Sequence, residues 1–429
     1  MRRLDSREPG FAVAFDRLVR ERRESDEDVA RDVAAIVNEV RLRGDEALAE
    51  YTQRFDRHAL GEQWRIEPET CRAAFEGLEP VLRAALELAA ERIRAYHQGQ
   101  LPADRDETDA EGVRMGARWR AVDAAGLYVP GGRAAYPSSL LMNAIPAKVA
   151  GVERLAVVTP TPGGEANPLV LAAAHLAEVD EVWRVGGAQA IAALAFGTKR
   201  IAPVDVITGP GNAWVAEAKR QLYGVVGIDM VAGPSEILVI ADGANDPEWL
   251  AADLLSQAEH DPAAQSILIT DDAKLANQVA DLIGVELALL PTARTAKASW
   301  ETHGTIIVVG DLASEAPALA NRLAAEHVAL MVGEPEPLFA AIRHAGSVFL
   351  GRMTPEAVGD YVAGPNHVLP TGRRARFASG LSVLDFMKRT SFIELDAGAL
   401  EKIGPAAIAL AEAEGLGAHA RSIEVRLGI

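Results

Sequence analysis

Three short stretches of this chain carry side chains able to do chemistry. In PEWLAADLLSQAEHDP, Asp246 with Pro247 opens a helix and Asp261-Pro262 closes it, which leaves Gln257 and His260 in its last turn, sharing one face. A helix C-terminus carries partial negative charge, so a cation is favoured where those side chains meet; a solvated polar helix end has the same composition. In TPEAVGDYVAGPNHVLP, Asp360 lies near the end of a short helix that Gly364 and Pro365 terminate, and His367 follows in the loop. Either suits a metal ligand or the partner that orients one, and either also suits an ordinary solvated or hydrogen-bonded position. Glu326 and His327 stand where the helical NRLAAEH gives way to the strand-like VALMV. A carboxylate beside an imidazole can act as base and acid in proton transfer once burial and neighbours tune the two; a surface pair is the plain alternative.

Glycine-rich turns form a second group. DVITGPGNAWVAEAKRQL sets Gly209, Pro210, Gly211 and Asn212 between a strand and a helix, where open backbone amides and a helix N-terminus can receive a pyrophosphate. Trp214 stands where the third glycine of G-x-G-x-x-G belongs, so this is not the dinucleotide fingerprint. VGGAQAIAAL puts Gly186, Gly187 and Gln189 at a similar junction, and ordinary tight connections look the same. Residues Leu127 to Val152 form a Gly- and Pro-rich loop leading into a helix with few charges, a composition that suits the lining of a site.

These residues need a scaffold. Apolar positions recur at helical spacing from Asp26 to about Phe55 and from Leu78 to His97. After Gly126, β-branched runs such as RLAVVTP, DVITGPGN, SEILVIAD, SILITDD, GTIIVVGD and VALMVGE alternate with Ala-rich helices, the pattern of strand-helix units around parallel sheets. The fold class expected is α/β, with two Rossmann-like doubly wound domains, a helical N-terminal region and an extended C-terminal arm. Residues 1–25 are read as a helical arm. Residues 26–127 with 236–384 are read as the main domain carrying most of the site, its early helices packing on the strands from Ile237 to about Gly351. Residues 128–235 are read as an inserted Rossmann-like domain whose glycine-rich turns suit a nucleotide, and 385–429 as an arm in which strands have stopped after Leu384. No internal repeat is visible.

The 429 residues are 49% hydrophobic and carry a formal charge of −18, which supports a sizeable core and disfavours nucleic acid and anionic lipid surfaces as partners. Neither a secretory signal nor an apolar run long enough to span a bilayer appears, and the single cysteine, Cys71, permits no intramolecular disulfide. The expectation is a cytoplasmic globular protein with Cys71 as a packing residue.

The segments LYVPGG, YPSSLLMNAIPAKVAGV, VGGAQAIAALAFGT, TGPGN, DMVAGPSEILVIAD, LLSQAEHD, GPNHVLPT and EGLGAHA, in this order, resemble the histidinol dehydrogenase family over nearly the whole chain. The resemblance implies a Zn²⁺ site on Gln257, His260, Asp360 and His419, and proton transfer by Glu326 and His327. It implies substrate contacts from Ser235, His367 and Glu414 as well as from His327 and the metal ligands, and NAD contacts from Tyr128, Gln189 and Asn212. The implied reaction is oxidation of L-histidinol through the aldehyde to L-histidine by two NAD molecules, in a homodimer whose C-terminal arms complete each other's sites. EHVAL in place of an EHLEI-like continuation and Gly417 in place of a polar residue are small departures. A paralogous dehydrogenase for another small polar alcohol and a non-catalytic binding protein are the rival readings, and the intact tail with Glu414 and His419 favours histidinol.

Overall fold

The structure is a computed structural model that describes residues 1–21, 27–131 and 136–429. Two six-stranded sheets organise it. The first runs, in spatial order, Arg65–Ile66, Glu181–Trp183, Arg154–Val158, Ala124–Tyr128, Val206–Thr208 and Gly227–Ile228, parallel except for its first strand. The second runs Arg2–Asp5, Thr305–Val308, Gln265–Thr270, Glu236–Ala241, His327–Met331 and Ser347–Leu350, all parallel. Strands 236–241, 265–270 and 327–331 are buried along their whole length, as a parallel sheet covered on both faces requires.

Numbered by each sheet's own chain order, both sheets read 1-4-3-2-5-6. The same fold is thus built twice, although no repeat is visible in the residues. Each sheet has a switch point beside its central strand, at Ala124–Tyr128 in one and at Glu236–Ala241 in the other.

The domain boundaries differ from the sequence reading. The helices Glu27–Arg43, Asp45–Phe55, Pro68–Glu76 and Pro80–Gln98 cover the first sheet and not the later strands. Val33, Ile36, Val40 and Leu48 join the core that holds Tyr128, Val158 and Ile191, while Cys71, Leu86 and Ile93 join the one that holds Leu127 and Leu141. Helical periodicity marks the apolar face of a helix but does not identify the sheet it covers. The N-terminal segment is more than a helical arm. Arg2–Asp5 is the edge strand of the second sheet, and Phe15 and Leu18 of the helix Phe11–Arg20 insert into that sheet's core; residues 22–25 of the expected arm lie outside the described residues.

Strands also continue past Leu384. Met387–Glu394 pairs antiparallel with Arg114–Ala121, which pairs with Arg105–Thr108. Most of Met387–Glu394 is exposed, so it lacks the apolar alternation by which a strand is recognised. The helices Ala397–Ala413 and Gly417–Leu427 follow, packed on each other where Gly404 leaves room for Ile423 and Leu427.

One buried ion pair fixes the switch-point loop of the first sheet. Lys219 Nζ donates to Asp229 Oδ1 and to the carbonyl of Gly209 (3.0 Å), while Asp229 Oδ2 accepts the Gly209 N–H (2.8 Å). Gly209 takes φ +110°, and a Cβ there would meet the Tyr128 carbonyl oxygen at 2.2 Å. We expect Lys219→Met, which strands a buried carboxylate, to cost about 3–5 kcal/mol of stability, read from urea denaturation midpoints. A loss under about 1 kcal/mol would show that the pair holds nothing.

Candidate active site

The residues able to do chemistry collect at the amino edge of the second sheet. The helix Leu312–Leu323 ends in a left-handed Ala324 (φ 44°), which turns the chain so that Glu326 and His327 enter the strand together, both buried. Glu236 opens the neighbouring central strand and holds the pair. Its N–H donates to Glu326 Oε2 (2.9 Å) and its carbonyl lies 3.2 Å from His327 Nδ1. A carbonyl can only accept, so the Nδ1 proton is fixed there and the lone pair is left on Nε2.

Gln257, in the last turn of Pro247–Ala258, reaches the same imidazole, its Oε1 lying 3.1 Å from Nδ1. On the other side Nε2 lies 3.7 Å from Glu356 Oε1, too far for a hydrogen bond. Glu356 and Asp360 belong to the helix Glu356–Tyr361, and the Ser256 hydroxyl donates to Glu356 Oε2 at 3.3 Å. His367 places Nδ1 2.9 Å from the Asp360 carbonyl and 3.9 Å from its carboxylate, while Nε2 lies 3.4 Å from Ser139 Oγ on the helix Pro137–Ala150. Asn366, next to His367, donates to the Met142 carbonyl (2.6 Å) and accepts from Val368 N (2.9 Å), which ties this loop to the first half of the chain.

Burial sets the charges. Desolvation pushes the Glu326 carboxyl well above the usual carboxylate range, helped by the nearby charges of Glu236, Asp360 and Glu356. Burial likewise raises Glu356 and drives His327 down to about 4, so the imidazole is neutral at physiological pH and free to take a proton. Gln257 Nε2, His327 Nε2 and Glu356 Oε1 are buried with no hydrogen-bond partner among the described residues. His327, Glu356 and Asp360 each offer a ligand atom, all within 4.8 Å of one another. The unsatisfied imidazole nitrogen and Glu356 oxygen beside excess carboxylate fit a divalent metal ion of the zinc type.

Of the expected ligands, Gln257 and Asp360 meet at this cluster. His260 is exposed two residues past the same helix, close enough for its charge to act on His327 and His367. Ser235, half-buried, immediately precedes Glu236. Glu414 and His419 do not join: both are exposed on the C-terminal helices, and neither side chain makes a hydrogen bond or ion pair among the described residues. Glu356 was missed from sequence. Its i, i+4 spacing from Asp360 on a short helix was the available signal.

The three expected cofactor residues gather at the carboxyl edge of the first sheet. Tyr128 ends the central strand, and its hydroxyl, kept protonated by burial that pushes it to about 12, accepts from Gly187 N at 3.2 Å. Gln189 is buried in the helix that Gly187 opens, its Oε1 without a partner among the described residues. Asn212 caps Ala213–Leu222 by accepting from Trp214 N and Val215 N, both at 3.1 Å. Residues 132–135 of the expected site-lining loop lie outside the described residues. Cys71 is buried in the core, which raises its thiol pKa. Among the described residues no helix is long and apolar enough to cross a membrane.

The family model for histidinol dehydrogenase matches residues 19–427. Histidinol dehydrogenase of Zymomonas mobilis is 63% identical over 426 residues, covering 99% of both chains, and that of Rhodospirillum rubrum is 60% identical over 99% of this chain and 98% of its own. The crystal structure of histidinol dehydrogenase from Elizabethkingia anophelis superposes with a TM-score of 0.94 at 36% identity, covering 100% of this chain and 98% of that one. On this agreement of sequence, fold and buried acid-imidazole cluster, the chain belongs to the histidinol dehydrogenase family.

Proposed function

We propose that the chain oxidises L-histidinol through L-histidinaldehyde to L-histidine, reducing two molecules of NAD, as the last steps of histidine biosynthesis. The observation that carries the reading is His327, a buried neutral imidazole whose Nδ1 proton is fixed on Glu236 and whose Nε2 faces an acidic cluster. Such a group is built to accept a proton from an alcohol as hydride leaves carbon. Glu326, immobilised by the Glu236 N–H, would then take a proton from the water that adds to the aldehyde, and its carboxylate form is favoured once cations neutralise the surrounding acids. Once His327 and Glu326 have released their protons to solvent, the hydrate loses the second hydride to the second NAD while His327 again takes the hydroxyl proton. Tyr128, Gln189 and Asn212 would bind NAD at the edge where helix N-termini gather.

Gln257, His260 and Asp360 would hold a zinc ion together with His419, and Glu356 stands beside them as a further carboxylate. When bound, the ion supplies an electrophilic anchor for the substrate's imidazole and amino group. Ser235, His327, His367 and Glu414 would complete the substrate contacts, with His367 oriented by Asp360 and Ser139. Because Glu414 and His419 are exposed on helices that pack chiefly on each other, a homodimer that exchanges these arms would bring each pair into the other subunit's site. The reading carries with it a cytoplasmic location, where a soluble NAD pool serves as oxidant.

Removing the metal by strong chelation should abolish turnover and adding Zn²⁺ should restore it; full activity in protein shown by elemental analysis to be metal-free would rule the centre out. Glu326→Gln should slow aldehyde oxidation far more than alcohol oxidation, whereas His327→Asn should slow both, in single-turnover assays of each half-reaction. Equal losses for Glu326→Gln would refute the division of roles. Finally, mixing inactive His260→Ala with inactive His419→Ala protein under subunit exchange should return up to about half the activity per mixed dimer, because one site collects both defects and the other none. Verified mixed dimers that stay inactive would place His419 in its own chain's site.

A further inference from the structure

The loop that carries His367 also reaches the second sheet through Arg373. Gly372 and Arg373 take consecutive left-handed conformations, φ +62° and +67°. Glycine adopts this freely, but an arginine there bears a strain of about 1–2 kcal/mol and persists only where its surroundings hold it. Here the guanidinium is the holding element. It is buried, with Nη1 donating to Glu236 Oε1 (3.1 Å) and Nη2 to Gln265 Oε1 (2.8 Å), so it spans the first residues of two adjacent strands.

Glu236 is no ordinary partner. It is 2% exposed, and its backbone contacts both members of the proposed proton-transfer pair, donating to Glu326 and accepting from His327. A carboxyl group withdrawn from water this far is held in place by the hydrogen bonds that replace its hydration, and the Arg373 guanidinium supplies one of them. We propose that Arg373 is a positioning residue for the reaction: by anchoring Glu236 at the start of the central strand, it fixes the backbone donor and acceptor that aim Glu326 and His327. Among the described residues Arg373 hydrogen-bonds to neither of the pair, and it acts on them through Glu236. The inference rests on the reading of Glu326 and His327 as the proton-transfer pair.

A merely structural tie between loop and sheet would be worth the same hydrogen bonds, so the test separates folding from turnover. Arg373→Gly relieves the backbone strain and offsets part of the lost contacts. We expect it to remain folded, with unchanged zinc content and unchanged KM for NAD, while kcat falls about 10–100-fold, the range typical when a group that orients a functional residue is removed. Arg373→Lys should recover part of kcat, since an ammonium can still reach Glu236. Glu236→Gln should lower kcat as well, and the double variant Arg373→Gly with Glu236→Gln should be no worse than the poorer single variant, because both break one linkage. Arg373→Gly with kcat within about twofold of the parent, or a loss that tracks melting or zinc content, or fully additive losses in the double variant, would overturn the proposal. If Glu326→Gln and His327→Asn themselves keep the parent's kcat, the reading beneath it fails; if they lose it while Arg373→Gly does not, this inference alone fails.

Discussion

Carboxylates withdrawn from water at the amino edge of the second sheet are the constraint on which the rest of the site depends. Glu236 and Glu356 are each 2% exposed and Glu326 5%, and the removal of an ion from water costs several kcal/mol unless charge or hydrogen bonds compensate it. The chain compensates in part. Arg373 serves Glu236, the Glu236 N–H serves Glu326 and the Ser256 hydroxyl serves Glu356. What remains is excess acid beside an unsatisfied imidazole nitrogen, a deficit that suits a cationic ligand, and desolvation is the largest cause of the shifts at Glu326, Glu356 and His327.

The two copies of one topology are used at opposite ends, and helix polarity gives the reason. In a strand-helix unit each helix begins near the carboxyl end of the preceding strand and finishes near the amino end of the next. The carboxyl edge of the first sheet therefore presents helix N-termini at Gly187 and Ala213, with partial positive charge suited to a pyrophosphate. At the amino edge of the second sheet, the C-termini of Pro247–Ala258 and Leu312–Leu323 add partial negative charge to the acidic cluster and favour a cation. In the proposed reaction an anionic cofactor and a cationic centre thus occupy ends of matching polarity. The loop carrying Asn366, His367 and Arg373 joins the two, bonded to Met142 and Ser139 on one side and to Glu236 on the other.

Much of this was legible in the residues because it is local. A Gln and a His closing one helix, a Glu-His pair at a helix-to-strand junction and an Asp-His pair flanking a Gly-Pro stop can each be read from spacing alone. Membership of a sheet is different, since it is decided by contacts distant in sequence. Nothing within RRLD marks it as the edge strand beside Thr305–Val308, and nothing in the helices before Gly126 says which of two equivalent sheets they cover. Arg373 illustrates the same limit. Between another arginine and a glycine it reads as solvated surface, and only the fold shows that it is buried on Glu236 in a strained backbone.

The C-terminal helices present the remaining energetic question, because they leave Leu410 66% exposed, Val425 52% and Ile429 69%. Among the described residues their ties to the rest of the chain include Lys402 to the Glu111 carbonyl, Ala399 packed near Gly112, and the strand before them paired on an exposed hairpin. At about 25 cal/mol per Å² of apolar surface, covering such side chains gains far more than solvent-screened ion pairs of the Arg114 and Glu394 kind. In the shared-site reading that gain is what brings Glu414 and His419 to the acidic cluster. In that reading subunit association and site completion would be one event: a bound ion drawing on both chains would stabilise the dimer, and the dimer would in turn raise the affinity for the ion, since linkage between two binding equilibria is reciprocal.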